Sequence, residues 1–307
     1  MSKGLTITLV FDGMSMNYGE GVGNISELKK LSRSGRLYAY LSRQAIRYEL
    51  YRILKDTFGM DRDKKDPLHK EQKVVQFHPD ITIKDYMEAD LFGYMKTKRK
   101  SKDNDGKTQT RPAVVRLSPA VALEPFMYDL EFGTNKNFAD RTGADPNPFQ
   151  FEHQHSLYSY TITVDMDRLG YDPNDGTTLD NATRAERLSM LLDAVKILNR
   201  DIKGRTENLN PLFAIGGVYD VKNPFFLNRI KVAYDGESGK YLIDTEPLKS
   251  TTAVKFNGED IKSKTRIGYI KGFWHNEEEF SGVCTAVDMD GFFEHLKEEV
   301  KSHYAGA

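Results

Sequence analysis

A chain of 307 residues with 39% hydrophobic residues can bury a large core, as one elaborated domain or two ordinary ones. Its 44 Lys and Arg against 45 Asp and Glu leave a formal charge of −1, which argues against a freestanding, non-specific nucleic-acid binder and suits an assembly subunit with one basic groove. Cys284 is the one cysteine, so no internal disulfide forms; no run reaches the roughly 20 apolar residues of a membrane span, and MSKGLTITLV lacks a signal peptide's charged start and long apolar core, so a reducing cytoplasm and no membrane are expected.

The first expected element is an apolar, β-branched strand over residues 5–11, stopped by the turn signal Asp12-Gly13. The glycine loop that follows, Gly19-Glu20-Gly21-Val22-Gly23-Asn24, resembles half of a dinucleotide fingerprint but has Asn24 where the third glycine belongs. It also lacks a helix start directly after it, so a loop that lets backbone approach phosphate fits better, and no cofactor is expected.

Ser42 is a good N-cap, and the helix after it keeps Ile46, Leu50, Ile53 and Leu54 on one face at helical spacing. The opposite face holds Arg43, Gln44 and Arg47, with Tyr51 one turn on. Arg43 and Arg47 stand four residues apart, about 5 to 6 Å at Cβ, a spacing comparable to that of phosphates along a single strand. Free N–H groups at the helix start add an anion site beside Ser42. From Lys29 to Arg52 the seven cations Lys29, Lys30, Arg33, Arg36, Arg43, Arg47 and Arg52 face one acid, Glu49, for a local charge of +6. The alternative for such a face is an ordinary solvated helix.

Residues 59–112 read as an insertion that leaves the core at a polar stretch, with short elements near Val74 to Phe77 and Tyr86 to Met95. Seven cations between Lys96 and Arg111 against two aspartates give +5, either a second nucleic-acid contact or a solvated loop tip. Strand character returns over 113–123, around Arg116. Residues 125–154 read as a long loop dotted with Phe126, Tyr128, Phe132, Phe138, Phe149 and Phe151. A strand over 157–164, a helix from Asn181 to Arg200, the loop carrying Arg205, strands near 213–221, 230–234, 241–243 and 266–274, and a helix from Asp290 to about Tyr304 complete a mixed α+β chain. That order suits a split β-α-β sheet with insertions.

Two constellations raise catalysis. Val164-Asp165-Met166-Asp167 recurs as Val287-Asp288-Met289-Asp290, and paired aspartates at strand ends can hold magnesium. Asp290, however, precedes a helix as its N-cap, and Asp167 starts a turn. His153 and His155 flank a strand start without HExxH or a cysteine cluster, so acid-base work would rest on their pKa alone.

The runs Asn17-Tyr18-Gly19-Glu20-Gly21, Gly23-Asn24-Ile25-Ser26-Glu27-Leu28-Lys29-Lys30-Leu31, Ser42-Arg43-Gln44-Ala45-Ile46-Arg47-Tyr48, Asp90-Leu91-Phe92-Gly93-Tyr94-Met95 and Arg111-Pro112-Ala113-Val114-Val115-Arg116-Leu117-Ser118-Pro119 resemble, in the same order, the DevR family of CRISPR-associated proteins. That family is the backbone, or crRNA-spine, subunit of type I-B Cascade. The resemblance implies a RAMP-type α+β fold: an RRM-like (ferredoxin-like) palm over 1–58, 113–124 and 156–307, inserted fingers over 59–112 and a thumb over 125–155. It implies crRNA as ligand, target DNA paired through the guide, other copies of the chain and other Cascade subunits as partners, and no catalysis or metal. Ser42, Arg43, Gln44 and Arg47 carry over as phosphate contacts; Asn17, Tyr18 and Asn24 of the loop, with Arg116 and Arg205, are further RNA-binding candidates. The enzyme alternative is a metal- or histidine-dependent endoribonuclease of the same superfamily.

Overall fold

The computed structural model describes residues 2–19, 21, 23–71, 73–97 and 108–306. A nine-stranded sheet runs through it, made of β1 (Gly4–Met14), β2 (Lys30–Arg33), β3 (Arg36–Leu41), β4 (Val115–Leu117), β5 (Ala120–Ala122), β6 (His155–Asp165), β7 (Phe213–Tyr219), β8 (Arg266–Tyr269) and β9 (Thr285–Asp288). The order is β9-β8-β7-β1-β6-β5-β3-β2, with β4 also on β6. The central pairs are antiparallel: β1 lies on β6 from Gly4 opposite Asp165 to Met14 opposite His155, and on β7 from Gly4 opposite Tyr219 to Val10 opposite Phe213. β1 therefore passes the Asp12-Gly13 signal and turns only at Ser15, whose φ is 52°.

Strand alternation divides β1 between two cores. Leu5, Ile7, Leu9 and Phe11 pack under three helices, α1 (Arg43–Asp56), α2 (Asn181–Lys196) and α3 (Met289–Ala305). Each helix supplies one apolar stripe, from Ile46, Leu50 and Ile53 to Leu188, Leu191 and Val195 to Phe292, Leu296 and Val300, all buried. Val10 of β1 joins Phe213, Ile215, Trp274 and Phe280 in the second core, where the segment between β7 and β9 closes over the opposite face. Beside it Thr8 and Thr161 share a hydroxyl hydrogen bond of 2.8 Å across β1 and β6.

Three sequence expectations change here. Helix α2 stops at Lys196, because Asn199–Ile202 and Arg205–Asn208 pair as a hairpin whose turn puts Lys203 and Gly204 at positive φ. Asp288, not Asp290, caps α3, accepting from the Gly291 N–H at 2.7 Å; Asp290 lies inside the first turn, paired with Lys196. The aromatic stretch 125–154 is not a loop: Asp129–Thr134 and Pro148–His153 form an antiparallel hairpin around the short helix Lys136–Thr142. Ile25–Ser26 adds to it in parallel, satisfying backbone groups from a distant loop.

Candidate nucleic-acid interface

Ser42 caps α1 as its sequence requires, its Oγ accepting from the Ala45 N–H at 3.3 Å. With the apolar stripe of α1 turned to the core, Arg43, Gln44, Arg47, Tyr48 and Tyr51 line a cleft of about 670 Å³. The facing wall comes from the insertion, with Leu68, Val75, Phe77, Phe92 and Met95, and the floor from Val115 and Leu117 of β4. The cations on it differ. Arg43 has no ion pair among the described residues, whereas Arg47 places Nη2 3.2 Å from Glu88 Oε1 and its guanidinium 5.1 Å from the Phe92 ring centre. Burial pushes the Glu88 carboxyl above its ordinary value, with Arg47 drawing it back.

The +6 read between Lys29 and Arg52 is therefore smaller in effect. Lys30 pairs with Glu152 at 2.7 Å, and Arg52 pairs with Glu49 at 2.8 Å. Glu49 is buried and takes a second cation, Arg200, at 2.8 Å, while Arg200 Nε donates to the Met16 carbonyl at 3.0 Å. This chain of charge ties the loop after β1 to α1. In the second basic run, Lys96 is buried and donates to the Ile81 carbonyl at 2.8 Å, and Arg111 is buried too; Lys98, Arg99, Lys100, Lys102 and Lys107 lie outside the described residues.

The loop candidates face the hairpin 129–153 instead of the cleft. Asn17 is buried, and its carbonyl accepts from the Lys29 N–H at 2.8 Å. Tyr18 donates to the Glu152 carbonyl at 3.1 Å and packs 5.9 Å from Phe151, with the Lys203 ammonium 5.2 and 4.4 Å from the two rings. Asn24 exposes its side chain and accepts from the Gln150 N–H at 2.9 Å through its carbonyl; Glu20 and Val22 of the glycine loop lie outside the described residues. Arg205 is held by Glu207 at 2.5 Å and by the Met14 carbonyl at 2.8 Å. Arg116 alternates with Val115 and Leu117, so it is exposed on the sheet face opposite the cleft's floor residues.

The aspartates Asp165 and Asp167 both pair with Lys222, at 2.6 and 2.9 Å, a cation where a metal reading needs an open carboxylate pair. Among the described residues no group of three or more His, Cys, Asp or Glu is placed to hold a metal. His153 sits between Ser15 Oγ at 2.8 Å and Glu131 at 2.6 Å, and His155 meets Asp12 at 2.7 Å in the open.

Sequence reasoning missed the group that fixes the insertion. Asp90 is fully buried and binds Arg111 and Arg187 at 2.8 Å each, plus the Gly170 N–H at 2.9 Å. Arg111 also donates to the carbonyls of Arg168 and Tyr171, and Tyr94 donates to Asp172 at 2.6 Å. Gly93, at φ 73°, lets the chain pass here: a Cβ would stand 2.2 Å from the Arg111 carbonyl oxygen. The signal available was Asp90 standing among Ala89, Leu91 and Phe92.

Residues 5–236 match the family described as "CRISPR-associated negative auto-regulator DevR/Csa2". The chain belongs to the DevR/Csa2 family. This DevR/Csa2 chain is 27% identical over 162 residues to "CRISPR-associated protein Cas7/Cst2/DevR" of Myxococcus xanthus (strain DK1622), covering 50% of the chain and 54% of that protein. It thus spans about half the length of that curated relative. Its fold is shared by a chain of a "CRISPR RNA-guided surveillance complex, pre-nicking", with a TM-score of 0.60, 11% identity and coverage of 97% and 100% of the two chains. A chain of a "CRISPR RNA-guided surveillance complex" gives 0.53, 12%, 98% and 99%. No helix among the described residues of this family member is long and apolar enough to cross a membrane.

Proposed function

We propose that this DevR/Csa2 protein is a crRNA-binding backbone subunit of a type I-B CRISPR interference complex. In this reading several copies polymerise along one guide beside other Cascade subunits and present it for pairing with target DNA, and the chain itself is not an enzyme. The observation that carries it is the cleft along α1, lined by Arg43, Gln44 and Arg47, with Ser42 capping the start of the helix. A row of cations and amide groups meets phosphate without reading bases, which a spine accepting every spacer needs.

The antiparallel order β7-β1-β6-β4, with α1 following β1 and α2 following β6, supports an RRM-like palm over 1–58, 113–124 and 156–307. Residues 59–112 are the fingers, latched through Asp90, and 125–155 the thumb, whose exposed Met127, Tyr128, Phe132 and Phe138 suit contact with RNA or a neighbouring copy. Asn17, Tyr18, Asn24, Arg116 and Arg205 remain secondary RNA contacts in this reading.

The test is co-expression with a repeat-spacer array and the neighbouring genes, purification, nuclease treatment and sizing of the retained RNA. A protected guide carrying several copies of the chain is expected; an RNA-free monomer overturns the reading. The exposed His155–Asp12 pair is the geometry among the described residues that favours the ribonuclease alternative. Cleavage of repeat RNA that disappears in His155→Ala would establish it.

A further inference from the structure

The segment that closes the second core carries an aromatic row that guide binding does not use. Val232–Asp235 and Lys240–Ile243 pair as an antiparallel hairpin with Tyr234 directly opposite Tyr241, their ring centres 5.2 Å apart, and Tyr241 stacks on Phe273 at 6.2 Å and 9°. Phe273 packs edge-on against buried Trp274 at 4.9 Å, so the row is anchored in the core at one end, while Tyr234 at the other is 59% exposed. A ring held open to water on a fixed row is surface that a partner can cover.

Carboxylates border the row. Tyr241 donates to Glu124 Oε1 at 3.2 Å, and Glu124 also accepts from the Ser156 hydroxyl at 2.8 Å, yet it has no ion pair among the described residues. Asp12, close enough for its charge to act on Glu124, has a side chain 42% exposed and meets His155 at 2.7 Å. Burial, and then the charges of Glu124 and Asp12, push the Tyr241 hydroxyl up to about 12, so both carboxylates act on the same ring.

We propose that this patch docks an arginine-bearing segment of a partner protein, the guanidinium lying on Tyr234 and Tyr241 and reaching Glu124 and Asp12. Charge decides the occupant. A nucleic-acid strand sets its phosphates beside two carboxylates, and an apolar side chain leaves Glu124 without a counter-ion. A guanidinium uses both features, its plane on tyrosine and its edge on a carboxylate in fork geometry, which the compact ammonium of lysine does not match. None of Asp12, Glu124, Tyr234, Tyr241 and Phe273 lines the cleft along α1, so the inference stands or falls independently of guide binding.

The first measurement uses the full chain with 3-fluorotyrosine at position 234, titrated with the probe peptide acetyl-Gly-Arg-Gly-amide and read by fluorine NMR. A saturable shift at millimolar peptide is expected. Asp12→Asn and Glu124→Gln, which keep the size of each side chain, should each weaken it by about three- to five-fold. The same peptide with citrulline, a neutral isostere of arginine, should give no shift. Equal shifts from arginine and citrulline, no saturable shift, or a stronger response to oligouridylate overturns the proposal. The second measurement places photo-reactive benzoylphenylalanine at position 234 in the complex co-expressed with the neighbouring genes. Cross-linking to an arginine-bearing segment of another protein is expected, and replacing that arginine by alanine should abolish it. No cross-link, or one to RNA, to a second copy of this chain or to a segment without arginine, overturns the docking. Tyr234→Ala should keep the wild-type melting temperature and guide affinity; guide affinity lost at an unchanged melting temperature puts the patch on the guide and overturns the proposal as well.

Discussion

Arg43 and Arg47 stand on one line of α1, yet their surroundings make them unequal. Arg43 has no ion pair among the described residues, while Arg47 shares its charge with Glu88. Arg43→Ala should therefore weaken guide binding more than Arg47→Ala, by about 1.5–3 kcal/mol for a lost charge-assisted contact, with equal effect on all spacers and a salt slope lower by about 1. Glu88→Gln should act in the opposite direction, tightening binding about three- to five-fold, because a competing carboxylate worth about 1 kcal/mol is gone. Filter binding across a salt series reads all three variants; a weaker Glu88→Gln would mean that the ion pair positions Arg47 for RNA instead of withholding it. A second residue-scale prediction concerns acid. Lys264 and Lys3 hold Asp220 below its ordinary value of 3.8. The folded chain keeps this carboxylate ionised to lower pH than the unfolded chain, so its stabilisation is complete above about pH 4 and is lost as pH falls through the lowered value. The melting-temperature gap between wild type and Asp220→Asn should accordingly shrink from pH 6 to pH 3; a constant gap would contradict the linkage.

At the scale of elements, the insertion and the hairpin 129–153 are attached by different sets of contacts. The insertion is fixed by Asp90, fully buried between two arginines, which makes the attachment strong only while it is complete. Asp90→Ala leaves two buried guanidinium groups without their carboxylate and should cost about 3–5 kcal/mol in chemical denaturation. A smaller value, below about 1 kcal/mol, would mean that the arginines find carbonyl partners enough on their own. The hairpin is held by backbone pairing of Gln150 and Phe151 to Ile25–Ser26, by the Tyr18–Phe151–Lys203 contact and by the Lys30–Glu152 ion pair. Its first strand, Asp129–Thr134, is exposed along most of its length, so the element has surface to give to a partner. This also explains why residues 125–154 read as a loop. Phe126 packs against the core under the three helices, but Tyr128, Phe132 and Phe138 are exposed, so no periodicity marks the stretch, and the parallel strand that completes the sheet comes from more than a hundred positions earlier in the chain.

Across the whole molecule, a formal charge of −1 is compatible with a nucleic-acid face because the local charge depends on which cations are paired within the fold. Lys30, Arg52, Arg111, Arg187, Arg200 and Lys222 each hold a carboxylate, joining insertion to sheet, loop to helix and strand end to strand end. Arg43, which has no ion pair among the described residues, lies on the cleft between α1 and the insertion. The two cores on either side of β1 fix that cleft from behind, so its geometry depends on packing far from any ligand.

The sequence by itself determined β1, the Ser42 cap and the two faces of α1, since each follows from residues within a few positions of one another and from periods of 2.0 and 3.6. It also carried the candidate phosphate contacts Ser42, Arg43, Gln44 and Arg47 onto one face. Only the tertiary structure decided which cations are available. Arg47 meets Glu88 across 41 positions, Lys30 meets Glu152 across 122 and Arg200 meets Glu49 across 151, distances over which no local pattern operates. Charges pair where folding brings them, and the same folding sets Arg116 and Arg205 apart from the cleft while the aromatic wall of the insertion closes over α1.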